Sequence, residues 1–101
     1  MLIYNVTTKV NWSIADDWVQ WMKEIHIAGI LSTGCFETYR FVKLLEADDI
    51  DGPTYAVQYF SNFDESYANF IANFSSSFRK AGIERWGEKF ISFSSLMEEV
   101  V

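Results

Sequence analysis

Apolar and polar positions follow two different periods along this chain, and the switches between them mark six elements. Residues 2–10 carry Ile3, Val6, Thr7, Thr8 and Val10, a β-branched run that predicts a strand. From about Ser13 to Leu31 the period becomes helical. Ser13 is the expected N-cap, with Asp16 and Asp17 in the first turn, where the helix dipole favours carboxylates. On a helical wheel Trp18, Val19, Trp21, Met22, Ile25, His26, Gly29 and Ile30 share one half, while Asp17, Gln20, Lys23 and Glu24 share the other. Thr33-Gly34 supplies a stop. FETYRFVKLLE, 36–46, predicts a second strand, and the polar run ADDIDGP, 47–53, predicts a hairpin loop. TYAVQYF, 54–60, is the third strand. Asn62 with Glu65 three residues on reads as a capping box for a second helix. Its apolar face is Phe63, Tyr67, Phe70, Ile71, Phe74, Phe78 and Ala81, at spacings of three and four. Gly82 is expected to break or end it, and KFISFSSLMEEV, 89–100, is the last strand.

The order β-α-β-β-α-β with right-handed crossovers gives a ferredoxin-like α+β sandwich. The sheet order would be 4-1-3-2, antiparallel throughout, with both helices on one face. Residues 1–101 read as one such domain. The strands carry apolar side chains at both parities, whereas an antiparallel sheet in a small monomer leaves its second face polar. Two helices cover one face only. A second copy of the chain is the simplest cover for the other, so a homodimer through the helix-free sheet face is expected.

Composition excludes several classes of partner. Charged residues make up only 22% of the chain and the formal net charge is −6, which repels phosphate backbones and anionic lipid. Neither nucleic acid nor a membrane is expected as a partner. No apolar run approaches the roughly 20 residues of a membrane-spanning helix. The start MLIYNVTTKV lacks the basic and long apolar regions of a signal peptide, and the single cysteine, Cys35, fits a reducing compartment. A cytoplasmic location is the expectation.

His26 is the only histidine and lies on the apolar arc, one turn after Met22. It is either a proton-transfer group in a pocket or a core-edge residue satisfied by a backbone carbonyl. Trp18 and Trp21 share its face and build either a pocket wall or an aromatic core. Asn5 and Thr7 lie on one face of the first strand and Gln58 on its neighbour, where they would orient a ligand or pair across the ladder; parity does not say which face meets the helices. One histidine and one cysteine cannot furnish the usual N/S ligand set of a metal centre, and Asp48, Asp49 and Asp51 lack the rest of a calcium loop. No metal or cofactor is expected. YAVQY, 55–59, superficially resembles the aromatic strand of RNA-recognition domains, but the basic residue and full spacing of that motif are missing.

The strings YNVT at 4–7, WVQWMKEIHI at 18–27, TGCF at 33–36, TYAVQY at 54–59 and RWGEKF at 85–90 together resemble a bacterial family, the domain of unknown function 4286. That resemblance spans nearly the whole chain. It implies a dimeric α/β barrel, in which two ferredoxin-like protomers pack sheet to sheet, within a superfamily of cofactor-free monooxygenases, isomerases, haem-degrading enzymes and proteins without known activity. The sequence reading is therefore a binder of a small, largely apolar molecule between sheet and helices. Trp18, Trp21, Met22 and Phe70 would line the pocket, with His26, Asn5 and Gln58 as polar anchors. If catalytic, it would be a cofactor-independent oxygenase or isomerase with His26 moving the proton. The alternative is a non-catalytic interaction or regulatory module with a packed interior.

Overall fold

The structure, a computed structural model, describes residues 1–101. Four strands, β1 (Leu2–Val10), β2 (Thr38–Lys43), β3 (Thr54–Ser61) and β4 (Phe90–Glu98), form one antiparallel sheet in the order β2-β3-β1-β4. This is the expected 4-1-3-2 order, and the fold is ferredoxin-like. The second strand is shorter than the run 36–46. Its ladder ends at the bonds from Glu37 N–H to Phe60 O and from Leu44 N–H to Thr54 O, and Leu45 is exposed. The loop to β3 closes tightly on β1, because a Cβ at Gly52 would collide with the Val10 carbonyl oxygen.

The first helical column departs from the expected regular helix in two places. Its cap is Asn11, whose side chain accepts the Ser13 N–H at 2.9 Å, so Ser13 lies inside a 3-10 turn, Trp12–Ile14. The column then runs through α1 (Ala15–Trp21), a π-helical turn (Met22–His26) and α2 (Ile27–Ser32). The Ile27 N–H bonds to the Met22 carbonyl, five residues back. One extra residue in that turn rotates everything after it. Met22 and Ile27 are therefore both buried, whereas Ile25, expected on the apolar arc, is 60% exposed. Gly34, at φ 76°, ends the column as expected.

The second column is α3 (Asp64–Asn73) and α4 (Ser75–Trp86), joined at Phe74, whose φ of −127° interrupts the helix. The Ser75 hydroxyl bonds back to the Ile71 carbonyl at 3.1 Å, a contact that bends helices. No side-chain cap starts α3. Phe63 occupies the cap position in extended conformation, and the Asn62 N–H is held instead by the Glu37 carboxylate. Gly82 does not break the helix; it is buried within α4, facing Phe90, and Gly87 at φ 63° ends it. Phe63 and Ile71 are exposed, so the packing load falls on Phe70, which is 1% exposed, with Phe74 and Phe78 half-buried.

Side chains alternate across the sheet. Tyr4, Val6, Thr8 and Val10 of β1 and Val57 and Tyr59 of β3 face the helices and join Trp18, Met22, Ile27, Ile30, Phe36, Phe70 and Trp86 in or against the core. The opposite face carries Ile3, Asn5, Thr7, Gln58, Phe60, Ile91, Phe93 and Met97. Its apolar character comes mostly from β4, where Ile91 and Phe93 are 74% and 63% exposed, and less from TYAVQYF than the sequence pattern suggests. No helix is long and apolar enough to cross a membrane.

Candidate functional site

The interior is not solid. A cavity of about 630 Å³ opens between the helix-facing side of β1 and β4 and the two helical columns. Its floor is Tyr4, Val6 and Thr8 with Ser92 and Ser94 of β4; its walls are Trp18, Trp21, Met22 and His26 on one side and Phe78, Gly82 and Trp86 on the other. Small side chains line this part of the floor: on the edge strand β4, Ser94 lies opposite Val6 and Ser92 opposite Thr8. Thr8 and Ser92 face each other across the ladder and satisfy one another, with their hydroxyl oxygens 2.7 Å apart.

His26 sits at the end of the π-helical turn. Its ring stacks on Trp21 at 4.6 Å between centroids and meets the edge of Phe78 at 5.6 Å. Phe78 reaches it because Gly29 leaves the space: a Cβ there would lie 3.0 Å from the Phe78 ring. Burial among these rings disfavours imidazolium and lowers the His26 pKa from 6.5 to about 4, so the side chain is neutral at physiological pH. A neutral imidazole has one donor and one acceptor nitrogen, and the His26 side chain lines the cavity.

Trp18 is a wall, 3% exposed, packed on Tyr55 and Phe41. Met22 and Phe70 are buried and line the cavity. Trp21 bridges the two columns, stacking on His26 and meeting Trp86 edge-on at 5.8 Å. Five of the seven expected site residues, Trp18, Trp21, Met22, His26 and Phe70, thus line one cavity. Asn5 and Gln58 do not. They are cross-strand partners on the helix-free face, where the Asn5 amide donates to the Thr7 hydroxyl at 3.0 Å. The reason is parity: Tyr4 and Val6 turn inward, so Asn5 between them turns outward.

The sequence reading missed Trp86. It is 7% exposed, and its indole Nε1 is buried without a hydrogen-bond partner. Extending the spacing of four from Phe70, Phe74 and Phe78 through Gly82 reaches Trp86; the expected helix break at Gly82 hid it. The serines of β4 also carried a signal, since Ser92 and Ser94 follow Phe90 on one parity of that strand.

Comparison with known proteins bears on the fold and the family. Two solved structures described as dimeric ferredoxin-like proteins share the fold. One, from an uncultured marine organism, is 13% identical with a TM-score of 0.66, over 99% of this chain and 96% of that one. The other, of unknown function, from Jannaschia sp. CCS1, is 10% identical with a TM-score of 0.57, over 98% and 100%. A monooxygenase, ActVA-Orf6 of Streptomyces coelicolor, solved in complex with nanaomycin D, is 12% identical with a TM-score of 0.58, over 99% and 89%. These likenesses establish the fold alone. No curated protein matches the sequence. The model of the family described as domain of unknown function DUF4286 matches residues 1–100, and the chain belongs to that family.

Proposed function

We propose that the chain binds a small, largely apolar organic molecule in the cavity between sheet and helices. The observation that carries this reading is the cavity itself, about 630 Å³ walled by aromatic rings and holding the only histidine. A space of that size is within the usual range for small-molecule sites. A packed interior, expected for a purely structural or regulatory module, would leave no such space. The nanaomycin D complex of the ActVA-Orf6 monooxygenase supports the reading by analogy of fold.

His26 is the proton-transfer group of this proposal. With a pKa near 4 it is a weak base. It takes a proton only from a ligand that becomes anionic beside it, because that charge stabilises the imidazolium. A cofactor-independent oxygenase or isomerase acting through a stabilised carbanion or phenolate meets this condition. The working form is a cytoplasmic homodimer in which two helix-free faces pack together. Exposed Ile91 and Phe93, with Ile3 and Phe60 on the same face, support that arrangement, as do the dimeric ferredoxin-like neighbours.

Native mass spectrometry of freshly purified protein tests the binding. The expected result is a bound species that leaves on denaturation and is lost in a Ser94→Trp variant, whose new side chain occupies the cavity. Bare protein in both forms counts against the reading.

A further inference from the structure

We propose that the ligand of this cavity is an organic acid, its ring-bearing body held among the aromatic walls and its carboxylate paired with the Arg79 guanidinium at the mouth. The inference rests on the proposed binding role of the cavity and names the class of molecule that enters.

Exposure locates the mouth. Every exposed residue that lines the cavity lies on α4, on β4 or in the turn between them, whereas Trp18, Met22, Val57 and Phe70 on the other sides are buried. Solvent therefore enters through the gap between α4 and the edge strand β4. α4 turns one stripe toward the cavity: Ser75, Phe78, Arg79, Gly82, Ile83 and Trp86, in rows spaced by three and four. Arg79 is exposed within that stripe, and it is the only arginine or lysine that lines the cavity.

Arg79 is also the one arginine with no partner. Arg40 lies over the Phe60 ring and Arg85 over the Trp86 ring. The chain carries 14 Asp and Glu against eight Lys and Arg, yet its single ion pair joins Lys80 to Glu84. Glu88, the acid of the rim, lies beyond Gly87 at the far end of the helix; Arg79 to Trp86 alone is roughly 10 Å along the axis at about 1.5 Å per residue. A planar guanidinium holds a carboxylate by two parallel hydrogen bonds. At the mouth that carboxylate keeps its contact with water, so the pair forms without the cost of burying a charge. His26 is neutral and adds no second positive charge, so one cation beside an apolar interior fits a monoanion with a hydrophobic body.

3-Phenylpropanoate and its neutral isostere 3-phenylpropanamide separate the two levels of the argument. Trp18, Trp21 and Trp86 line the cavity, whereas Trp12 bonds the Asp49 carbonyl elsewhere, so the Trp12 indole N–H resonance serves as an internal control in a ¹⁵N-correlated titration. Both probes should shift cavity indoles and leave Trp12 unmoved. At low salt the acid should bind about fivefold more tightly than the amide, the size of a solvent-exposed ion pair, and added NaCl should shrink that preference. Arg79→Gln should abolish the preference with the amide affinity unchanged, and Arg79→Lys should keep part of it. The wild-type salt series decides alone if Arg79→Gln does not fold. Equal affinities for acid and amide in wild type, or a preference that survives Arg79→Gln, overturn the inference and leave the cavity reading standing. Failure of both probes to shift any cavity indole at millimolar concentration overturns both.

Discussion

Acid should destabilise this protein through His26, by an amount that follows from its surroundings. In the fold the imidazole is held near pKa 4 by burial against Trp21 and Phe78; in the unfolded chain it returns to 6.5. Between those values the unfolded state binds the extra proton, so stability falls as pH drops through this window and is unaffected by His26 above it. The full loss, reached below pH 4, is about 3 kcal/mol, and at pH 5 about 2 kcal/mol of it is already gone. That is a large fraction of a typical domain's stability. Urea unfolding at pH 7.5 and pH 5, at fixed protomer concentration, measures it. A His26→Gln variant removes the titrating group while the carboxylates remain. Wild type should lose about 2 kcal/mol more than the variant between the two pH values. In parallel, the single imidazole should titrate near 4 by NMR. Equal losses in the two proteins, or an imidazole midpoint near 6.5, would refute the burial of His26 and with it the proposed wall of the cavity.

Phe70→Ala should destabilise the fold by about 3–5 kcal/mol in denaturant titrations, since the ring is fully buried and packs on Tyr4, Phe36 and Phe78; a loss under about 1 kcal/mol would mean that α3 does not anchor the core. Phe93→Asp should leave the protomer folded, because the side chain is exposed within it, but shift sedimentation at micromolar concentration from dimer to monomer. A variant as dimeric as wild type would remove the helix-free face as the interface. Gly52→Ala should prevent normal folding or lower the melting temperature sharply, because a methyl group there meets the Val10 carbonyl; unchanged melting would mean the loop does not close on β1.

Much of this architecture was legible in the residues, and the misses have local causes. The strand order followed from element order alone, because crossover handedness leaves few alternatives. Trp18, Trp21 and Met22 are legible together because they precede or open the π-helical turn, where the wheel is still in phase, and His26 at its far end still lines the same cavity. Ile25 was misplaced because nothing in MKEIH announces the extra residue in that turn. The outward placement of Asn5 and Gln58 is not legible in the residues, because β1 offers bulky side chains at both parities, Ile3 outward and Tyr4 inward, so alternation fixes which residues share a face without fixing which face is inside. Trp86 was hidden by a glycine. Gly82 reads as a helix breaker in isolation, yet in α4 it is the small residue that faces Phe90 and leaves room beside the cavity.

The most direct test of the cavity as a binding site is a methyl and indole NMR titration with α-methylstyrene on wild type and on Ser94→Trp. Wild type should show saturable shifts confined to the residues around His26, Trp21, Met22 and Val57, and the variant should show none. Shifts spread over the helix-free sheet face, or equal shifts in the two proteins, would contradict it.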